Sequence, residues 1–400
     1  MKITHQALRN CPICEGIIVE SLHTQNFESP IGHPINTCYE IVCCCSCGFV
    51  YADVKTNQIA LDNYYSKLSK YEDINISTGS GITHTDKLRF KRIANFISGE
   101  NSKKNIRILD IGCANGGLLR EIKDIGYTDI LGLDLSEKCV ETTKRYANCD
   151  AYVGSLSSFP ENIGKFDCII LSHVLEHIYD LNSLNNLLNS LLNPKGMVYI
   201  EVPDGLRYSE TVVSPFQEFN TEHINHFSTL SLKNLLNEKG FTSVIESNYS
   251  ILVGDGTSYP VLNCVFRRTK NKSLISYDVK LRESIQDYIR KSQELLKEMD
   301  HKIKNIIKMN PQIIIWGTGQ LTIKLLAETS LRNANIIDFI DGNTSNQGKM
   351  IFGKEIHSPE ILMEYKNKEY PILISTLLHQ KEIINNLHQM GLNNKILTLE

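Results

Sequence analysis

The run Ile106 to Gly117, IRILDIGCANGG, limits what this chain can fold into more than any other part of it. A short apolar strand passes without a linker into a glycine-rich turn, and a helix, LLREI, follows at once. Gly112, Gly116 and Gly117 permit a tight turn and a close approach to a ligand where a Cβ would obstruct. The spacing is GxxxG followed by a second glycine, not the GxGxxG of dinucleotide sites. The turn therefore suits an amino-acid moiety better than a pyrophosphate.

Downstream, strand-like and helix-like segments alternate through DILGLDL, EKCVETTKRYA, FDCIILSHV, SLNNLLNSLL and MVYIEVP, the pattern of a doubly wound parallel sheet. Asp134 ends the second strand, where it can accept hydrogen bonds from both hydroxyls of a ribose; its structural alternative is a helix cap before SEKCVETT. Ser155 and Leu156 follow the third strand, and Ser172 and His173 stand at the carboxyl end of the fourth. Together these signals resemble the class I S-adenosylmethionine methyltransferases over roughly Ile106 to Val202. The resemblance implies that Asp110 and Gly112 face the methionine portion, Asp134 the ribose and Leu156 the adenine. Ala114, Gly116, Leu135, Ser155, Ser172 and His173 complete the implied cofactor site. Glu176 and His177, in LEH, read as the opening of a helix beside the cofactor and stay outside the catalytic set.

Seven of the twelve cysteines precede residue 50, a distribution unlike a disulfide scaffold and suited to a reducing compartment. Cys11-Pro-Ile-Cys14 and Cys44-Cys-Ser-Cys47-Gly are two CxxC knuckles, which supply four thiolates for a structural, tetrahedral zinc. Cys38, Cys43 and Cys45 leave the register of the second knuckle open, with buried free thiols or an iron-sulfur cluster as the other readings.

At 400 residues the chain exceeds one comfortable core. The expected organisation is a zinc-binding module over 1–55, a connector and leading helix over 56–104, a methyltransferase domain over 105–270 and a Rossmann-like lobe over 271–400. In that lobe QIIIWGTGQ restarts the strand and helix alternation. Gly317, Gly319 and Asp341 match nucleotide-binding positions and are expected to hold the nucleotide of a substrate, with a structural or dimerising lobe as the alternative. The fold class expected is thus α/β, a class I methyltransferase sheet with a small zinc module before it and a second Rossmann-like lobe after it. A formal net charge of -3 offers nucleic acid no broad attraction. No apolar stretch approaches the roughly 18 residues of a membrane span, and the first twenty residues lack a signal-peptide core. A cytoplasmic protein with a small-molecule partner is expected, and no nucleic-acid or membrane partner.

Methyl transfer from a sulfonium requires positioning, and a base where the acceptor atom carries a proton. EFNTEHINHFS, after the fifth strand, supplies Glu222, His223 and His226, with His223 as the expected base. A double-CxxC head, a methyltransferase core, this EH pair and a distal Rossmann-like lobe resemble the three-domain sugar C-methyltransferases, which act on nucleotide-activated keto-deoxysugars. The family motif reads approximately YHEHFSYYS; Asn220 stands here in place of its tyrosine and Thr221 in place of its first histidine. Carbon methylation needs an enolate stabilised as well as a proton removed, so the acceptor atom is left as carbon or oxygen, with Asn220 as a group that orients a substrate oxygen. Tyr64, Tyr65 and Tyr71 resemble the aromatic lid residues that precede such domains. Two rivals remain: a methyltransferase for another small molecule or a lipid-linked glycan, and a noncatalytic scaffold or S-adenosylmethionine sensor.

Overall fold

A computed structural model describes residues 3–28, 34–35, 37–68, 80–100, 103–253, 257–366, 368–377 and 379–399. Tyr71 lies outside the described residues. The chain opens with β1 (Thr4–Gln6), β2 (Ile18–Asn26), β3 (Cys38–Cys44) and β4 (Val50–Asp53), and the connector holds α1 (Gln58–Leu68) and α2 (His84–Glu100). The alternating region then gives β5 (Ile108–Ile111), α3 (Gly117–Asp124), β6 (Ile130–Asp134), α4 (Glu137–Tyr146), β7 (Asp150–Val153), β8 (Phe166–Ser172), α5 (Asn182–Leu191) and β9 (Leu192–Pro203). After β10 (Asn225–His226) come α6 (Thr229–Asn237), β11 (Phe241–Val253) and β12 (Thr257–Arg268).

Seven of these strands form one sheet in the order β11-β12-β9-β8-β5-β6-β7. β7, β6, β5, β8 and β9 run parallel, whereas β12 is antiparallel to β9 and to β11. This is the α/β sheet, mostly parallel with an antiparallel pair at one edge, that the alternating pattern leads one to expect. The sequence explains which strand goes where. β5 is buried throughout and apolar but for Asp110, and β8 carries a buried apolar run from Cys168 to Leu171, as parallel central strands do, while β11 alternates buried or half-buried with exposed positions along an edge. Phe90, Ile93, Ala94 and Ile97 of α2 pack with Leu118, Leu119 and Ile122 of α3 on the sheet, each fully buried aliphatic stabilising the fold by about 1.5–3 kcal/mol.

The first strands form a separate sheet in the order β1-β2-β3-β4-β10. β10 pairs antiparallel with β4, setting Asn225 opposite Tyr51 and His226 opposite Val50. A two-residue strand just after Glu222 and His223 thus completes the edge beside the second cysteine knuckle, a long-range pairing without any local signature.

A long helix, α7 (Val279–Met309), leads to β13 (Ile313–Trp316), α8 (Gln320–Glu328), β14 (Ile336–Ile340), β15 (Met350–Ile351), β16 (Lys354–His357), β17 (Ile372–Ile374), α9 (Gln380–Gln389) and β18 (Ile396–Leu397). Their sheet has the order β15-β16-β14-β13-β17-β18, parallel except between β15 and β16. Ile314, Trp316, Ile340, Leu362, Ile372 and Ile374 make its core.

The chain forms two compact units. One comprises Met1–Glu20, Val42–Arg207 and Glu222–Glu283, the other Ser21–Ile41, Tyr208–Thr221 and Ser284–Glu400. Among the described residues no helix is long and apolar enough to cross a membrane.

Candidate active site

In the first unit, β5 delivers Asp110 to the carboxyl end of the sheet, and the backbone turns at Gly112 (φ +71°) and Ala114 (φ +46°) before α3 begins. Asp134, at the end of β6, locks this turn. Its Oδ2 accepts from the Ala114 amide at 2.9 Å and its Oδ1 from the Ser136 amide at 2.9 Å. Leu135 is half-buried between them, and the Ser136 side chain caps α4 through the Cys139 amide.

The glycines at the turn also serve packing within the fold. A Cβ at Gly112 would come within 2.7 Å of Val174, at Gly116 within 3.0 Å of Thr143, and at Gly117 within 2.6 Å of Phe90. Their smallness lets neighbouring elements close on the turn, and Gly117 permits the approach of α2 to α3. Close packing within the fold is itself a reason for glycine at 116 and 117.

Asp110 is buried, and desolvation, followed by the charge of Asp134, pushes its carboxyl up to about 8, against a smaller opposing effect of Arg89. Two carboxylates beside a backbone turn fit a ligand with a positive charge at one end and ribose hydroxyls at the other. Such a ligand is bound by the ionised form of Asp110. Between about pH 6 and 8, S-adenosylmethionine affinity is therefore expected to rise, by up to about fiftyfold, as the carboxyl loses its proton. Calorimetric titration across that range checks this; a flat profile in the wild type, or the same slope in Asp110→Asn, would refute it.

The loop after β7 is held from α1. Asp62 accepts from Ser155 at 3.4 Å and from Ser157 at 3.5 Å, Leu156 is buried, and Gln58 accepts from the amides of Tyr179 and Asp180 at 2.8 and 3.1 Å. The helix in the connector is thereby fastened over the loop expected to meet the adenine.

At the end of β8, His173 adopts a left-handed backbone (φ +56°) and lies between two buried carboxylates, with Nδ1 at 3.2 Å from Glu176 and Nε2 at 3.4 Å from Glu201. Glu201 also accepts from Arg89 at 3.2 Å, Ser172 at 3.2 Å, Tyr199 at 2.8 Å and Tyr249. Burial alone would raise the Glu201 carboxyl, but His173 and Arg89 hold it far below the ordinary range. Burial and Arg89 oppose a charge on His173, yet Glu176 and Glu201 keep its pKa above the usual imidazole value. Ser172 and His173 are thus part of a buried charged network. Arg89 and Glu201 gave no signal in the sequence, because an isolated Arg in a helix and a Glu in an apolar strand acquire a role only when the strand ends meet.

Beyond Glu176 lies the loop that carries Glu222 and His223. A short helical turn, Leu175–His177, faces residues 222–225, and the two segments are stitched by the Ile224 amide to Glu176 O at 2.8 Å and by Asn225 Nδ2 to Leu175 O and Ile178 O at 2.8 and 2.7 Å. His177 Nδ1 is 3.0 Å from the Glu222 carbonyl and 3.0 Å from the Tyr65 hydroxyl, and the His177 and His223 rings meet edge to face at 4.9 Å. His223 and Glu222 are thereby brought together with His177, Glu176 and Tyr65. His226, expected beside them, stands apart from this group: it is fully buried in β10, and desolvation pushes its pKa down to about 3, which makes it a weak proton acceptor. In the other unit, the Asn220 side chain donates to the Gln217 carbonyl at 3.1 Å.

A methyltransferase-domain family model matches residues 82–246, which contain the glycine turn, most of the buried network and the loop with Glu222 and His223. This segment is an S-adenosylmethionine-dependent methyltransferase domain. The chain is 23% identical over 180 residues to a ubiquinone biosynthesis O-methyltransferase of Bartonella tribocorum, a match covering 42% of this chain and 69% of the relative. It is 25% identical over 168 residues to a Mycolicibacterium smegmatis protein named a probable S-adenosylmethionine-dependent methyltransferase, covering 42% of this chain and 61% of that one. Among solved structures, magnesium protoporphyrin IX methyltransferase of Synechocystis with bound S-adenosylhomocysteine superposes with a TM-score of 0.40 at 14% identity, over 52% of this chain and 99% of the other. A second family model, described as C2185-like, N-terminal, matches residues 309–397.

Ahead of the methyltransferase domain, the four sulfurs of Cys11, Cys14, Cys44 and Cys47 lie within 4.8 Å of one another. Cys11 and Cys47 are 3.5 Å apart and Cys14 and Cys44 3.4 Å. Four thiolates at about 2.3 Å from a zinc ion would stand about 3.8 Å apart, so the donor set and its spacing fit that ion after a small expansion. Cys38 and Cys45 are exposed, and Cys43 lies against the Tyr277 hydroxyl at 3.9 Å.

Within the second unit the turn after β13 repeats the device seen at Asp134. Gly317 has φ +104°, the Thr318 amide donates to Asp341 Oδ2 at 3.0 Å, and the Asn343 amide to Asp341 Oδ1 at 2.8 Å. Asp341 also accepts from the Thr318 hydroxyl and from Asn346. Most of its accepting capacity is taken up by its own loops. Open space surrounds the Cα of Gly319 on the side where a Cβ would project.

Proposed function

We propose that the protein transfers a methyl group from S-adenosylmethionine to carbon or oxygen of a nucleotide-linked sugar. The observation that carries the reading is the group of Tyr65, His177, Glu222 and His223 at the carboxyl end of the sheet, linked through Glu176 and His173 to the strands that bear the cofactor turn. S-adenosylmethionine supplies an electrophilic methyl on a sulfonium, so the protein has to place the acceptor and dispose of its proton. The His177 and His223 pair takes that proton, with His177 held in one orientation by the Glu222 carbonyl and the Tyr65 hydroxyl. Glu176 and Glu201 keep neighbouring positive charge close to the site. The glycine turn at Gly317 and Gly319, with Asp341 bracing it, supports assignment of the distal lobe to the nucleotide.

The cysteine cluster is proposed to hold a structural zinc, closed to substrate because all four positions of the ion are taken by protein. A second reading of the acceptor, an aromatic hydroxyl, is favoured by the name of the Bartonella relative.

Transfer of labelled methyl into a panel of nucleotide sugars and, in parallel, into phenolic and polyprenyl-phenolic acceptors separates the two readings. Label in the sugar, lost when the same sugar is offered without its nucleotide, is the expected result. Label only in the phenols, or equal turnover of free and nucleotide-linked sugar, would overturn the sugar-nucleotide assignment.

A further inference from the structure

We infer that Glu176, His177 and His223 form a second metal site, distinct from the cysteine cluster, that takes a divalent transition ion of the zinc or cobalt kind. One ligand atom from each of the three lies within 4.8 Å of the other two, the arrangement of a two-histidine, one-carboxylate set. The inference rests on the reading of this cluster as the acceptor side and deepens it, since three protein ligands leave positions for an oxygen of the acceptor.

Four features of the surroundings suit an ion. The first is the tautomer of His177. A carbonyl oxygen only accepts, so the 3.0 Å approach of His177 Nδ1 to Glu222 O puts the ring proton on Nδ1 and the lone pair on Nε2. A ligating histidine is held in just this way, by donating its other N–H to a backbone carbonyl. The second is rigidity. Ile224 to Glu176 and Asn225 to Leu175 and Ile178 fix the Leu175–His177 turn against the strand edge that follows His223, so the ligands from the two segments are preorganised. The third is charge. Glu176 is buried, and the imidazole of His173 lies against its carboxyl, with Nδ1 3.2 Å from Oε1. The fourth is the donor chemistry: two imidazoles and one carboxylate, without thiolate, favour zinc, cobalt or iron(II) over calcium or magnesium.

An ion here changes how the histidine pair acts. It would bind an acceptor hydroxyl or enol oxygen and lower that oxygen's pKa, so that the proton goes to solvent and the oxyanion, or the α-carbon of the enolate, attacks the methyl. The new bond forms between that atom and the methyl carbon, the bond from carbon to sulfur breaks, and its electron pair leaves on neutral S-adenosylhomocysteine. An acceptor with two neighbouring oxygens, such as a keto-alcohol or a vicinal diol, is the class that such an ion selects.

The test uses the full-length protein with zinc already bound at the cysteine cluster, titrated with Co2+ and followed by visible absorption and equilibrium dialysis. One equivalent of cobalt per chain is expected, with ligand-field bands but no thiolate charge-transfer band. His177→Gln and His223→Asn should each weaken uptake by more than the roughly 10–100-fold that loss of a mere supporting group costs, while cysteine-bound zinc and S-adenosylhomocysteine binding persist as the control for folding. No cobalt beyond the cysteine site in the wild type, or unchanged uptake in both variants, would overturn the inference. If His223→Asn nevertheless abolished methyl transfer, the acceptor assignment would stand without the metal; if cobalt bound tightly and transfer were indifferent to His223, the acceptor assignment would fail instead.

Discussion

His223→Ala is expected to lower kcat/KM for methyl transfer by about 10²–10⁴-fold while S-adenosylhomocysteine affinity stays within about twofold of the wild type. The ring touches His177 at the acceptor side, whereas the cofactor turn is built from Asp110, Ala114 and Asp134 on other strands. Whether the histidine accepts a proton itself or holds an ion that acidifies the acceptor, its loss is expected to fall on the acceptor step. His226→Ala makes the contrast. Its ring is fully buried in β10 and neutral, so truncation should cost about 2–4 kcal/mol of stability through the cavity left behind, with little change in kcat for the protein that remains folded. Chemical denaturation and single-turnover methyl transfer on both variants distinguish these effects. Equal loss of turnover in the two, or none in His223→Ala, would remove His223 from the acceptor site.

Chelation of the cysteine-bound ion, or Cys44→Ser combined with Cys47→Ser, should unfold the strands around it. A structural zinc carries on the order of 10–16 kcal/mol of apparent binding free energy that is available to folding. The effect should reach the active site. β4, which follows the second knuckle, pairs with β10, and β10 follows directly on Glu222 and His223. Metal-depleted protein is thus expected to bind S-adenosylhomocysteine through the intact methyltransferase sheet yet lose methyl transfer. Metal analysis, thermal melting and cofactor titration on the same sample would show it. Unchanged metal content and unchanged melting in the double variant would sink the zinc assignment.

Much of the fold was legible in the sequence because it is written in short-range regularities. Apolar runs between glycine turns announced β5, β6, β8 and β9, and the two CxxC spacings pointed to the cysteines whose sulfurs cluster. The acceptor side was legible only in part. The EH pair at 222–223 was found from its chemistry, but Glu176 and His177 read as an ordinary helix opening, and Arg89 and Glu201 gave no sign. Nothing local distinguishes a buried ionic network from scattered polar residues until the strands carrying them are laid side by side.

The sequence by itself determined that a strand, a glycine turn and a helix would open a methyltransferase sheet, since hydrophobic period and glycine spacing act over a few residues. Tertiary structure alone decided what the turn is made of: Asp134 ties it, and Gly116 and Gly117 are small for the sake of Thr143 and Phe90. It also decided that His223 pairs with His177 and that His226 does not take part. Residues far apart in the chain become neighbours only when loops at one end of a sheet converge, and that convergence depends on the packing of the whole unit, which no single segment encodes.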